Sequence, residues 1–199
     1  MVLSRQLSGY RIILASQSPR RKTLLEGLDI NFEIIVRPDI EEEFPANMEL
    51  KEVPLYLANH KSNNYLDLLD DNTIVITADT VVILDNKILG KPVDEKDARK
   101  IISQLSGQMH EVATGVCIRS KDKVREFSAV SRVWFRTLSE DEIDYYVSNY
   151  KPMDKAGAYG IQEWIGYAGI ERIEGSFYNV MGLPVQTLYM ELSDFVKSD

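Results

Sequence analysis

Apolar and polar residues alternate along this chain in a way that predicts short buried strands separated by helices. Strand-like runs, apolar and rich in β-branched residues, occur at 12–15, 32–36, 73–78, 81–84 and 87–89. Apolar residues at helical spacing predict helices over 20–28, 54–69, 95–105, from 139 onward and over 184–196. Asp94 is placed to cap the helix over 95–105, and residues 139–142 form a capping box at the start of the next. Two longer strand patterns, 111–119 and 124–136, flank a polar turn and predict an antiparallel hairpin. The first ten residues are predicted to be a polar segment that leads into the first strand, without a helix or strand of its own. An α/β chain is therefore expected.

The first strand pattern leads into a sequence suited to an anion. Ile12–Ala15 is followed by a turn, Ser16–Ser18, and then by Pro19, which is favoured at the first position of a helix. Free N–H groups at the helix start and the side chains of Arg20 and Arg21 would then face the carboxyl end of the strand, where open α/β sheets bind ligands. A plain turn with capping serines and solvated arginines is the alternative, and this stretch alone does not decide between the two.

Further charged residues follow other strand and helix patterns. The buried run 73–78 stops at Asp79, which places this carboxylate at the carboxyl edge of the sheet. Lys61 falls within a predicted helix, and Lys91 stands between Gly90 and Pro92 at the end of a short strand. The acidic run 39–43 reads as a solvated loop until a cation partner is found.

Composition narrows the function classes. The 199 residues carry a formal net charge of −8, which argues against a protein that coats nucleic acid. The single cysteine, Cys117, lies in an apolar run and is expected to be a small core residue. No apolar stretch has the length of a secretory signal or a membrane span, so we expect a soluble, cytoplasmic protein without membrane or nucleic-acid partners. No internal repeat or linker divides residues 1–199, which indicates a single domain.

The motifs of several common sites are missing from the sequence. There is no Walker loop, no dinucleotide-binding glycine motif, no zinc-protease helix and no cysteine pair. What remains is a set of carboxylates and basic residues at strand ends or on adjoining helices. Oxygen ligands together with phosphate favour Mg²⁺ as a cofactor.

Four motifs carry a resemblance to a known family. They are Ser16-Gln17-Ser18-Pro19-Arg20-Arg21, Ile76-Thr77-Ala78-Asp79-Thr80-Val81-Val82, Gly90-Lys91-Pro92 and Gly160-Ile161-Gln162. In this order they resemble the motifs of the Maf nucleoside triphosphate pyrophosphatases, which use a divalent metal to cut between the α and β phosphates. The resemblance implies an elongated α/β fold with a mixed twisted sheet, flanking helices and two lobes around a deep cleft. It also implies a nucleoside triphosphate as substrate and a homodimer as an expected assembly, with Mg²⁺ as the metal and Mn²⁺ as its alternative.

The resemblance also implies roles for individual residues. Asp79 would be the general base or the carboxylate that orients water, and Glu42 would join it as a metal ligand. Lys61 and Lys91, with Ser16, Ser18, Arg20 and Arg21, would hold the triphosphate. Arg21, Thr80 and Gln162 match the subgroup that prefers dTTP and UTP, and an amide that both donates and accepts is a suitable reader of the pyrimidine edge.

The sequence departs from the family pattern at two places. Glu42 stands where many members have a second aspartate, which leaves Glu41 as a reserve ligand. Trp164, two residues after Gln162, either stacks on a base or packs the fold.

Two other functions are alternatives to hydrolysis. A nucleotide-binding regulator of septum formation, acting through a protein partner, is the alternative implied by the family. A kinase is disfavoured because the expected phosphate loop is missing.

Overall fold

A computed structural model of the protein describes residues 1–37 and 43–197, which form a mixed α/β fold. The strands are β1 (Arg11–Leu14), β2 (Glu33–Ile34), β3 (Thr73–Leu84), β4 (Lys87–Leu89), β5 (Met109–Arg119), β6 (Val124–Phe135) and β7 (Ile170–Glu174). The helices are α1 (Leu3–Gln6), α2 (Pro19–Glu26), α3 (Val53–Asn63), α4 (Glu95–Leu105), α5 (Glu140–Tyr150), α6 (Trp164–Gly169), α7 (Phe177–Met181) and α8 (Val185–Lys197). Single 3₁₀ turns occupy Leu66–Leu68 and Ala156–Ala158.

The strands form one seven-stranded mixed sheet in the order β2-β1-β3-β5-β6-β7, with β4 paired to β3. β1 runs parallel to both β2 and β3, while β4 pairs antiparallel with β3 and β7 antiparallel with β6. The α/β class with a mixed sheet and flanking helices is thereby confirmed.

The chain divides into two compact units. The first comprises the described residues of Met1–Asp79, Thr114–Ala129 and Gly182–Asp199, and the second comprises Thr80–Ala113 and Val130–Met181. The expectation that residues 1–199 act as a single domain stays a prediction.

Local signals placed several elements correctly. Asp94 caps α4 by accepting a hydrogen bond from the Asp97 amide at 2.7 Å, and Ser139 with Glu142 forms a complete capping box on α5. The turn between β5 and β6 is closed by the Ser120 amide donating to the Lys123 carbonyl at 2.9 Å. These are short-range patterns, and short-range geometry is what sequence reports best.

Three sequence-based expectations about elements were wrong. Residues 1–10 are not a polar lead-in, because α1 buries Leu3 and packs against α8. The runs 73–78 and 81–84 are one strand, β3, which continues through Asp79 because β4 pairs with its second half. Residues 164–181, to which the sequence pattern assigns no helix or strand of their own, contain α6, β7 and α7.

In the first unit, α3 lies against the sheet without intervening side chains at one point. A Cβ built on Gly115 of β5 would stand 2.2 Å from the Leu55 amide nitrogen, a distance at which two atoms overlap. The buried Thr77 hydroxyl on β3 donates to the Ala58 carbonyl of α3 at 2.6 Å. Glycine at 115 and this hydrogen bond together fix the position of α3 along β3.

The second unit has a core of α4, α5, β6 and the segment 156–165, with a buried aromatic group at its edge. His110, Phe135 and Tyr159 meet edge to face, with ring centroids 5.0 to 5.4 Å apart. His110 Nε2 and the Tyr159 hydroxyl are hydrogen-bonded at 2.8 Å, and burial lowers the pKa of His110 to about 4. The imidazole is therefore neutral in the folded protein at pH 7.

Within the described residues, no helix combines the length and apolar character that a membrane span requires.

We expect acid to destabilise the protein through His110. The pKa of His110 is lower in the folded than in the unfolded state, so the unfolded state binds more protons as the pH falls from about 6.5 to about 4. Stability present above pH 6.5 is lost through that window, by roughly 2 kcal/mol at pH 5 for this group. Urea unfolding at pH 7 and pH 5 measures this loss as a difference in the free energy of unfolding. His110→Gln, whose amide can still reach Tyr159, should show a smaller loss; equal losses in both proteins would contradict the assignment.

Candidate active site

The turn between β1 and α2 is built as the sequence predicts. The Ser18 hydroxyl caps α2 by accepting a hydrogen bond from the Arg21 amide at 3.4 Å, and Pro19 occupies the first turn. The hydroxyl of Ser16, a buried residue, accepts a hydrogen bond from the Ser18 amide at 3.2 Å. Both serines therefore shape the turn, and the helix start, with its positive dipole end, lies directly after β1.

Arg21 connects this turn to β3. Its guanidinium donates from Nε to the Gly182 carbonyl at 2.8 Å and from a terminal nitrogen to the Ala78 carbonyl at 2.7 Å. Arg20, which is also half-buried, is the preceding residue on α2. Because Ala78 directly precedes Asp79, the guanidinium of Arg21 lies beside the main chain that carries the predicted catalytic carboxylate.

Asp79 forms a close ion pair with Lys61. Lys61 Nζ lies 2.5 Å from Asp79 Oδ1, and the two side chains keep only 16% and 12% of their exposure. The pair follows from the packing of α3 on β3. Thr77 and Asp79 share one face of the strand, Ala58 and Lys61 share one face of the helix, and the Thr77–Ala58 hydrogen bond aligns the two faces.

The position of Asp79 differs from the sequence-based expectation. Asp79 does not end its strand, since β3 continues to Leu84. It does lie beyond the parallel part of the sheet, because the pairing of β1 with β3 ends at Leu14 and Ile76. The carboxylate thus lies past the carboxyl end of β1, next to the Ser16–Ser18 turn.

These contacts bring six of the predicted site residues of the first unit into one connected group. Ser16, Ser18, Arg21, Lys61 and Asp79 are linked by the turn, by the Arg21–Ala78 hydrogen bond and by the ion pair, and the sixth, Arg20, adjoins them as the residue before Arg21 on α2. An arginine-rich helix start beside a shielded carboxylate can bind a phosphate chain and orient a water molecule.

Thr80, Lys91 and Gln162 belong to the second unit. The Gly157 amide donates to the Gly90 carbonyl at 3.1 Å, which ties the loop before Gln162 to the segment that carries Lys91. Gln162 Oε1 is buried and accepts no hydrogen bond from the residues that the structure describes. A buried carbonyl oxygen without a donor is uncommon in folded proteins and marks a place where a ligand can bind.

Glu42 and Glu41, the expected second metal ligand and its reserve, lie outside the described residues. Among residues 1–37 and 43–197, no three His, Cys, Asp or Glu side chains converge on a point where they could hold an ion. The donor chemistry of Asp79 nevertheless fits Mg²⁺, which proteins commonly bind through one or two carboxylates plus substrate phosphates.

For Trp164, the structure shows the packing contacts that one of the two interpretations expects. Its ring meets Tyr145 at a centroid distance of 5.0 Å and packs, partly buried, against the core of the second unit. Packing is therefore the role seen for this indole. Sequence reasoning missed its neighbour Glu163, which forms buried contacts with Lys155 and Tyr146. The one feature of the sequence that could have pointed to Glu163 is its position directly after Gln162, the residue predicted to contact the base.

Comparison with known proteins agrees with the motifs. A family model described as Maf-like protein matches residues 11–195. This chain belongs to the Maf-like protein family. The resemblance drawn from the four motifs is confirmed, and it covers nearly the whole chain.

Three relatives of this Maf-like chain share a name. A dTTP/UTP pyrophosphatase of Porphyromonas gingivalis is 56% identical over 195 residues, covering 97% of this chain and 98% of the relative. A protein of the same name from Phocaeicola vulgatus is 54% identical, covering 94% of this chain and 96% of the relative. Another from Christiangramia forsetii is 46% identical, covering 99% of this chain and 100% of the relative.

Among solved structures, a HAM1 protein from Coxiella burnetii is similar over 63% of this chain and 73% of its own, with a TM-score of 0.42 and 16% identity. A nucleoside-triphosphatase, dITP/XTP pyrophosphatase, from Mycobacterium abscessus gives a TM-score of 0.40 at 12% identity, over 71% and 95% of the two chains. Likenesses at these values do not bear on the substrate of this chain.

We expect Lys61 and Asp79 to be coupled energetically. Removing either partner takes the Lys61–Asp79 attraction away from a shielded charge, so Lys61→Met and Asp79→Asn should each lower the free energy of unfolding, and the double variant should lose less than their sum by about 1–3 kcal/mol. Urea denaturation of the four proteins measures the coupling.

The pair Lys121–Asp71 is a matched control, since it joins the same residue types at 2.7 Å but with side chains 55% and 82% exposed. Solvent should screen it, and its coupling should be much smaller. Equal coupling in the two cycles would show that shielding of the Lys61–Asp79 pair has no energetic effect.

Proposed function

We propose that this chain hydrolyses dTTP and UTP to the nucleoside monophosphate and pyrophosphate. The observation that carries the proposal is the shielded Lys61–Asp79 pair beside the serine-capped start of α2. The names of relatives at 46–56% identity support the substrate. Modified pyrimidine triphosphates, which share the same base edge, fall within the proposal.

In the proposed mechanism, Asp79 acts on water. Its carboxylate accepts a hydrogen bond from the attacking water and takes up a proton as the water oxygen bonds to phosphorus at the α–β bridge. That phosphorus is the α-phosphorus; its bond to the oxygen that bridges to the β-phosphorus breaks, this oxygen leaves with the pyrophosphate, and the monophosphate keeps the oxygen of the water. The Lys61 ammonium, 2.5 Å away, holds the carboxylate in a single orientation.

The basic residues bind and stabilise the phosphates. The helix start at Ser18 and the side chains of Arg20 and Arg21 are placed to bind phosphate oxygens, with Ser16 supporting the turn. Lys91 stabilises charge on the departing pyrophosphate. The proposal thus treats residues 1–199 as one Maf-like domain and keeps Thr80, Lys91 and Gln162 of the second unit as substrate-binding residues.

A divalent cation, Mg²⁺ in the first instance, belongs to the proposal. Asp79 together with Glu42 would hold it, and it would supply charge neutralisation on the triphosphate. The carboxylate of Asp79 has the hard oxygen donors that such an ion requires.

Gln162 is proposed to read the base. Uracil and thymine each have an N3–H group between two carbonyl groups. The oxygen of an amide can accept a hydrogen bond from this N3–H while the amide nitrogen donates one to a base carbonyl. The buried Oε1 that accepts no bond within the described part of the chain supports this role, because the base N–H would satisfy it.

The function is tested by measuring pyrophosphate release from dTTP, UTP, CTP, GTP and dATP, with Mg²⁺ and with EDTA. We expect the highest kcat/KM for dTTP and UTP and loss of activity in EDTA. Failure on every pyrimidine triphosphate would overturn the proposal, and tight nucleotide binding without turnover would favour the regulator of septum formation instead.

Replacement of Asp79 tests the mechanism. Asp79→Asn keeps the shape of the side chain but removes its basicity, so kcat should fall by about 10²–10⁴-fold while nucleotide affinity changes little. Single-turnover kinetics and calorimetric titration separate the two quantities. Asp71→Asn, an exposed aspartate of the same unit, serves as the control and should retain full activity. Undiminished turnover in Asp79→Asn would refute the role.

A further inference from the structure

A buried polar network lies next to the proposed base reader, within the second unit. Lys155 Nζ is 3.1 Å from Glu163 Oε1 and 2.7 Å from Asp154 Oδ1, and the side chains of Lys155 and Glu163 keep 9% and 19% of their exposure. The Tyr146 hydroxyl donates to the other oxygen, Glu163 Oε2. Burial and the adjacent Glu163 carboxylate raise the pKa of Tyr146, so its hydroxyl remains a donor.

The same network holds the backbone on both sides of Gln162. The Gly160 amide donates to the Tyr146 oxygen at 3.0 Å, and the Glu163 amide donates to the Gly160 carbonyl at 3.0 Å. A Cβ at position 160 would stand 2.8 Å from the Glu163 carboxyl carbon, so glycine is what allows the carboxylate to lie against the turn. Residues 160–163 are thus a closed turn with Gln162 inside it.

The composition of the network indicates a task beyond stability. A buried lysine and a glutamate with only 19% of its side chain exposed are costly to desolvate, and apolar residues of similar size often stabilise a fold as well or better. A fully connected polar network does specify one arrangement of the groups it joins. The group arranged here is the main chain of residue 162, whose side-chain oxygen is buried without a donor from the described residues.

We propose that Glu163, held by Lys155 and Tyr146, is a positioning residue that fixes the turn at Gln162 and thereby aligns its amide with the pyrimidine edge. This inference rests on the proposed function, because it takes Gln162 to contact the base. The phosphate-binding residues of the first unit are not part of this network. Loosening it therefore affects base recognition more than phosphate chemistry.

The test uses Tyr146→Phe and Glu163→Gln in the full-length protein. Tyr146→Phe removes one hydroxyl and keeps the ring, while Glu163→Gln keeps the shape and removes the charge that faces Lys155. For each we measure kcat and KM with UTP and CTP, and the melting temperature. Tyr145→Phe is the matched control, since this neighbouring tyrosine is exposed and faces Trp164. Gln162→Ala serves as the reference for loss of the base contact.

We expect KM for UTP to rise about tenfold in Tyr146→Phe and Glu163→Gln, with kcat within about threefold of the parent, as for a lost ground-state contact. Selectivity for UTP over CTP should fall toward the value in Gln162→Ala, because a loosened amide can turn its N–H group toward the cytosine N3 acceptor. Tyr145→Phe should match the parent.

Other outcomes overturn the inference. Folded variants with unchanged KM and selectivity would show that the network does not position Gln162. A parallel loss of kcat on both nucleotides, or the loss of a cooperative melting transition in both variants, would show a structural role alone. Failure of the parent protein to hydrolyse UTP would instead overturn the proposed function, so the two results are distinguishable.

Discussion

The hydrogen bond from the Thr77 hydroxyl to the Ala58 carbonyl sets the geometry on which the candidate site depends. It fixes α3 lengthwise on β3, and the absence of a side chain at Gly115 lets the start of the helix approach the sheet closely enough for the bond to form. Asp79 is two residues beyond Thr77 on β3, and Lys61 is three residues beyond Ala58 on α3. The same alignment therefore brings Lys61 to Asp79. A shift of α3 along β3 would separate the pair.

The two units contribute different chemistry to the proposed reaction. The first contains the helix start at Ser18, the arginines and the Lys61–Asp79 pair, which are suited to phosphate and to water. The second contains Gln162 in a turn fixed by hydrogen bonds, which is suited to a base edge.

Each unit contains a shielded charged pair that either consists of predicted functional residues or adjoins one. Lys61 and Asp79 are shielded in the first, and Lys155 and Glu163 in the second. Removing such charges from water costs free energy, so these pairs add little to the stability of the fold. They do hold the groups they join in one arrangement. Their placement beside the carboxylate and beside the amide is consistent with the need of catalysis for preorganised groups.

The sequence by itself determined the strand–turn–helix at Ser16–Pro19, the helix caps at Asp94 and Ser139, and the family, because caps, turns and motifs are contiguous in the chain. It also identified Lys61 and Asp79 as separate candidates. Only the tertiary structure decided that they are paired, that β3 continues past Asp79, and that Lys155 and Tyr146 converge on Glu163. The two ion pairs depend on packing between separate helices, strands and loops, which no local pattern records, whereas the continuation of β3 depends on its short hairpin with β4 through Asp85 and Asn86.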